Sequence, residues 1–150
     1  LIMNKVVKII LVVIWMTVIF CFSNQKAEDS SKLSDGVIIK VAKIFVKDNI
    51  GKEKKQELIQ KYTFIIRKTA HFTVYLILGI LVINIVSSFN LKNVIIMSVS
   101  ICFLYALSDE FHQLFVDGRS CELRDVLIDT IGSYVGILIY NGFKKRLMKK

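Results

Sequence analysis

Four runs of apolar residues divide the chain and predict its helices. They cover residues 6–22, 70–89, 91–108 and 126–143. Each run is close to the roughly 20 residues that a helix needs to cross a bilayer. Helices of a soluble domain this small carry an apolar stripe opposite a polar face, whereas these runs are apolar nearly all round. The pattern therefore predicts an all-α membrane protein with four transmembrane helices.

The connection between the first two runs, residues 23–69, is longer than an ordinary loop. Its segment DGVIIKVAKIFVKDN places Lys40, Lys43 and Lys47 at helical spacing, opposite an apolar face. Such a helix either lies in the headgroup plane of the bilayer or packs on the protein's own spans. We expect an amphipathic interfacial helix here, within a single domain that covers residues 1–150.

Charges beside the spans predict the orientation. Lys5 and Lys8 begin the first span, and KKRLMKK follows the fourth, which favours cytoplasmic termini because Lys and Arg accumulate on that side. The connection at residues 23–69 argues the other way, with eleven Lys and Arg against six Asp and Glu. Since the first helix usually dominates, we expect both termini in the cytoplasm.

The net charge of +9 bears on the partner rather than on the fold. Basic residues flank the apolar runs and do not alternate with exposed aromatic residues, so the pattern favours anionic lipid headgroups over nucleic acid. The three cysteines have no CxxC spacing, and two lie within apolar runs. This favours small buried side chains over a disulfide or a zinc site. No cofactor is predicted.

Polar residues converge at one end of the predicted bundle. Antiparallel spans bring together the start of the second span, the end of the third and the start of the fourth. Helical spacing then groups Arg67, His71 and Tyr75 on the second span, Asp109, His112 and Gln113 on the third, and Asp125 and Asp129 on the fourth. The fourth span continues into Gly132, Ser133 and Gly136, a stripe typical of close helix packing. With cytoplasmic termini, this polar end faces outward.

Ionisable side chains at membrane depth are costly, so several together must pair or line a wet cavity. One hypothesis is structural: three arginines pair with three aspartates to hold the helix ends together. The residues are Arg67, Arg119 and Arg124 with Asp109, Asp125 and Asp129.

A second hypothesis is acid and base catalysis by neighbouring carboxyl and imidazole groups. Its candidates are His71, Asp109, Glu110, His112 and Asp129. A serine hydrolase is disfavoured, because no serine lies in a G-x-S-x-G turn. A divalent metal held by His71, His112 and one acid is a weaker alternative, because DEFHQ matches no established metal spacing.

A third hypothesis is ligand binding, in which arginines grip an anionic headgroup through bidentate hydrogen bonds. The turn in FVDGRS would present Arg119 at the interface. The full set of candidate ligand-binding residues is Arg67, His71, Tyr75, Gln113, Arg119, Asp125 and Asp129.

Three stretches of the chain carry a resemblance to a known family. FSNQ follows the first span, RKTAHFTVYLILG opens the second, and SDEFHQLFVDGRSCELRDVLIDTIG joins the third to the fourth. In these the chain resembles the VanZ-like family of small bacterial membrane proteins, whose usual FSSQ has Asn24 here at one position. The positions that match the family's motifs are Gln25, Arg67, His71, Asp109, Glu110, His112, Gln113, Gly118, Arg119, Asp125, Asp129 and Gly132.

The resemblance implies an integral protein of the bacterial cell membrane, and the family's named relative is associated with resistance to the glycopeptide teicoplanin. It implies no chemical reaction. We therefore expect an external polar site that engages a lipid-linked wall precursor or a phospholipid headgroup. The alternatives are a membrane enzyme acting on such a substrate and a structural membrane partner protein.

Overall fold

The computed structural model describes residues 2–24, 52–117 and 121–147. This part of the chain is helical and contains no strand. The helices are α1 (Ile2–Ser23), α2 (Lys52–Val86), α3 (Val94–Gln113) and α4 (Leu123–Leu147), with a short 3-10 helix, Ser87–Phe89, after α2.

Four helical segments are long and apolar enough to cross a membrane, one for each α-helix, and the second continues from α2 through the 3-10 helix. These segments are Lys5–Ser23, Phe64–Phe89, Val94–Gln113 and Leu123–Leu147. The prediction of four spanning helices is therefore confirmed. The second helix begins at Lys52 rather than near residue 70, because KEKKQELIQKY consists mostly of strong helix formers that extend the helix beyond its apolar part.

The predicted interfacial helix, around residues 37–47, lies outside the described residues. Gln25, Gly118 and Arg119 also lie outside them.

Helix α2 is the centre of the bundle and packs against each of the other three helices. Its inward face buries Tyr75, Leu78 and Val82. Apolar side chains also cover the outside, where Leu104 and Ile131 are more than half exposed. A surface of this kind is suited to lipid chains, which supports assignment of the helices as membrane spans.

Helices α2 and α4 approach closely enough for backbone contact. A Cβ atom on Gly132 would lie 2.5 Å from the carbonyl oxygen of Phe72, and one on Gly136 would overlap that of Leu76 more severely. From the other side, a Cβ on Gly79 would overlap the backbone of Ser133. The small-residue stripe of the fourth span therefore packs closely against a helix, as its sequence predicted, and the structure identifies that helix as α2.

Hydrogen bonds between helices fix the position of α1. The indole Nε1 of Trp15 donates to the carbonyl of Val74 at 2.9 Å, and the hydroxyl of Tyr105 donates to the carbonyl of Met16 at 2.6 Å. These bonds satisfy polar groups that lipid cannot satisfy. They attach α1 to both α2 and α3.

Candidate functional site

Ionisable side chains of α2, α3 and α4 meet at one end of the bundle. We refer to six of them as the polar cluster: Lys68 and His71 from α2, Asp109 and Glu110 from α3, and Asp125 and Asp129 from α4. All four acids of the polar cluster are buried. The convergence of the second, third and fourth spans, predicted from their antiparallel order, is thus observed.

Asp129 is the most deeply buried acid of the polar cluster, with 0% of its surface exposed. Its Oδ1 lies 3.6 Å from Nδ1 of His71. This distance suits an ion pair when the imidazole is protonated, but it is too long for a good hydrogen bond. Glycine contacts between α2 and α4 lie immediately beyond this pair, so close backbone packing sets the approach of the two side chains.

Asp109 lies on the α3 side of the polar cluster and is 3% exposed. It interacts with Ser23 at the end of α1, with Tyr75 on α2, and with Gln113 one turn further along α3. Within the described chain, however, neither carboxyl oxygen has a hydrogen bond of ordinary geometry. Tyr75 is fully buried, and its ring centroid lies 6.1 Å from that of Tyr105.

Glu110 anchors the segment that leads into α4. Its Oε2 accepts a hydrogen bond from the backbone N–H of Glu122 at 2.9 Å, although the side chain is 1% exposed. The sequence suggested Glu110 as a candidate for catalysis, and the structure adds a positioning role for it. Nothing local in the sequence signals a bond to the backbone twelve residues later.

Lys68 provides the ion pairs that the structural hypothesis assigned to arginines. Its Nζ contacts Oδ1 of Asp125 and lies 3.4 Å from Oε2 of Glu122. Asp125 therefore pairs with Lys68, and Asp129 pairs with His71. Among the described residues, neither aspartate pairs with Arg67 or Arg124. Arg124 is exposed. Lys68 was not among the residues predicted from the sequence, although its spacing of three residues from His71 places both on one helix face.

His112 packs apart from His71, against the end of α1. Its ring centroid lies 4.4 Å from that of Phe20, with the planes inclined at 31°. In the described ranges, no three His, Cys, Asp or Glu side chains are grouped so that they could hold a metal ion.

The polar cluster combines two chemical features. Four buried carboxyl groups offer more acceptor atoms than Lys68 and His71 can satisfy, which suits a ligand rich in hydroxyl or amine donors. The His71–Asp129 pair also has the composition of an imidazole base oriented by a carboxylate. Either feature would justify the cost of keeping acids at membrane depth.

Comparison with known proteins places this bundle in a family. No curated protein and no solved structure matches the chain. A family model described as VanZ/LLP1 matches residues 8–145, a range that runs from the first span into the last and includes the whole polar cluster. The match confirms the resemblance carried by the three motifs. The chain therefore belongs to the VanZ/LLP1 family as a multi-pass membrane protein.

Proposed function

We propose that the polar cluster binds the headgroup of a cell-envelope component at the outer side of the membrane. The observation that carries this proposal is the burial of Asp109 and Asp129, whose carboxyl oxygens lack ordinary hydrogen bonds within the described chain. Burying such groups costs several kcal/mol. A bundle held only by packing has no need of them, whereas a ligand with matching donors would satisfy them.

The outward orientation is supported by the distribution of charge. The polar cluster contains most of the acids near the spans, whereas the opposite end of the bundle is basic. Because basic residues accumulate on the cytoplasmic side, the termini are assigned to the cytoplasm and the polar cluster to the outer level. Lipid-linked wall precursors and phospholipids present hydroxyl, amine and phosphate groups at that level, and carboxylates accept hydrogen bonds from the first two.

Binding a wall precursor would reduce access of a lipophilic glycopeptide to the same target. On this basis we assign the chain a role in lowering susceptibility to teicoplanin. The proposed role rests on the polar cluster and on the resistance associated with the family's named relative.

Replacing Asp109 with asparagine tests the proposal, because it removes the charge and nearly keeps the volume. We expect Asp109→Asn to abolish protection of a susceptible host against teicoplanin while its melting temperature in detergent stays equal or rises. The rise follows because a buried, poorly paired charge is lost. Glu122→Gln is the matched control, since this acid is half exposed and lies outside the polar cluster.

Two outcomes would count against the proposal. If Asp109→Asn lowers the melting temperature in proportion to the loss of protection, the polar cluster serves to hold the helices together. If Asp109→Asn retains full protection, the polar cluster does not bind the relevant ligand.

The His71–Asp129 pair favours a second candidate function, acid and base catalysis on a lipid-linked substrate. Vesicles containing the purified chain would then convert lipid-linked precursors to products visible by mass spectrometry. Conversion by the native chain but not by His71→Gln would support catalysis. Stable binding without conversion would support the binding role instead.

A further inference from the structure

The end of the bundle opposite the polar cluster is basic. We define this basic end by Lys5 and Lys8 on α1, Lys92 before α3, and Lys144, Lys145 and Arg146 in the last turn of α4. No acidic residue of the described chain lies at this end. The described acids lie in the other half of the bundle, either at the start of α2 or at these positions: Asp109, Glu110, Asp117, Glu122, Asp125 and Asp129. The charge of the basic end is therefore not balanced by described acids.

Lys8 is the basic residue most deeply set at this end, within the apolar segment of α1. Its Nζ donates to Oγ of Ser88 at 2.9 Å and to the carbonyl oxygen of Asn84 at 3.4 Å. Both acceptors are neutral, so they hold the ammonium group in place without compensating its charge. An ammonium group has three N–H donors, and these two contacts use two of them.

The surroundings of Lys8 are fixed by contacts among three helices. Asn84, which accepts from Lys8 through its carbonyl, also accepts a hydrogen bond on Oδ1 from the hydroxyl of Tyr140 at 3.0 Å. Lys5 extends over the ring of Phe89, with Nζ 4.8 Å from the centroid. The cations are thus presented by a preformed arrangement of α1, α2 and α4.

Apolar surface lies directly beside these cations. Phe89 is 49% exposed and Leu91 is 40% exposed, and the apolar outer face of α1 begins at Val6. A ligand matching both features has an anionic head and apolar chains. We propose that the basic end binds the phosphate group of an anionic phospholipid, with Lys8 as its central contact and the acyl chains along the outer face of α1.

This inference is independent of the proposed function, because it concerns the other end of the molecule. The test measures the melting temperature of the purified full chain in mixed micelles containing either phosphatidylglycerol or phosphatidylcholine with identical acyl chains. We expect phosphatidylglycerol to raise the melting temperature by several degrees more than phosphatidylcholine. The difference should shrink as salt is added.

Variants at Lys8 locate the effect. Lys8→Met should lose most of the difference between the two lipids, whereas Lys8→Arg should keep it. Lys61→Met is the matched control, because it removes one charge from the opposite end of α2 and should leave the difference unchanged. If Lys8→Met does not fold, Lys8→Gln provides the same comparison with a neutral side chain that keeps hydrogen-bond donors.

Inorganic phosphate alone separates a lipid site from a simple phosphate site. We expect it to give no comparable stabilisation, because it lacks the acyl chains that contact α1. Equal stabilisation by inorganic phosphate would overturn the lipid assignment. Equal effects of the two lipids, or an unchanged lipid difference in both Lys8→Met and Lys8→Gln, would overturn the site itself.

Discussion

Nδ1 of His71 lies 3.6 Å from Oδ1 of Asp129, and the aspartate is fully buried at the contact between α2 and α4. The pair lies just before the glycine contacts that bring the two backbones together. Among the described residues, the imidazole of His71 is the basic group that pairs with the carboxylate of Asp129. The pair therefore bears on stability as well as on the proposed function, and substitutions there need a thermodynamic control.

His71→Ala should destabilise the bundle, because it leaves the carboxylate of Asp129 buried without its partner. Removing one partner of a buried pair typically costs about 3–5 kcal/mol. Asp129→Asn introduced into His71→Ala should recover part of this loss, because the stranded charge is then absent. The measurement is a double-mutant cycle of unfolding free energies in detergent. Simple additivity of the two changes would show that the side chains do not interact.

Replacing Lys68 should lower the free energy of unfolding more than replacing its exposed partner Glu122. Lys68→Met leaves Asp125 unpaired, and only 9% of that side chain is exposed, so we expect a loss of about 3 kcal/mol in unfolding free energy. Glu122→Gln removes a half-exposed partner and should cost about 1 kcal/mol or less. Chemical unfolding of both variants in the same detergent gives the comparison. Equal losses would contradict Asp125 as the main partner of Lys68.

Gly136→Ala should force α2 and α4 apart, because the added methyl group would overlap the backbone at Leu76. Overpacking of this kind costs about 1–3 kcal/mol. Gly142→Ala is the matched control, since a Cβ placed there would meet nothing within 4 Å apart from the adjacent backbone of its own helix. It should be neutral or slightly stabilising, because alanine favours helix over glycine. Thermal melting of the two variants checks this, and similar destabilisation of both would rule out close packing at Gly136 as the cause.

Cysteine labelling tests the orientation. Cys121 is exposed just before α4, whereas Cys102 is buried and Cys21 lies on the outer face of α1. With Cys21 and Cys102 replaced by alanine, an impermeant maleimide should label Cys121 on intact cells, because cytoplasmic termini place the polar end outside.

The same background without Cys121 but with Lys92→Cys provides the opposite control. Lys92 is exposed at the basic end, so its replacement should react only after the cells are opened. The reverse pattern in the two variants would invert the proposed topology.

Much of the architecture is determined by the sequence itself. Spanning length and all-round apolar character are local properties of each run, so four membrane helices follow from residue order alone. The antiparallel order of the spans then decides which ends meet. That order placed His71 and Asp129 at the same end of the bundle, and the small residues after Asp129 indicated the face of α4 that approaches another helix.

Only the tertiary structure decided which side chains on neighbouring helices pair with one another. Arg67 and Lys68 are adjacent in sequence, yet it is Lys68 that pairs with Asp125. A helix that is apolar nearly all round gives little indication of how it is rotated about its axis, and a rotation of about 100° exchanges adjacent residues. The backbone contacts at Gly79, Gly132 and Gly136 fix that rotation for α2 and α4.

Contacts between residues far apart in the sequence were also decided by the tertiary structure. The bond from Glu110 to the backbone of Glu122 depends on the path of the connecting segment, and the packing of His112 on Phe20 depends on where α1 docks. Neither contact produces a periodic pattern in the sequence, because each joins side chains or backbone of two separate elements. The sequence determined the helices and the level at which their polar ends meet, while helix rotation and docking determined the pairs that form there.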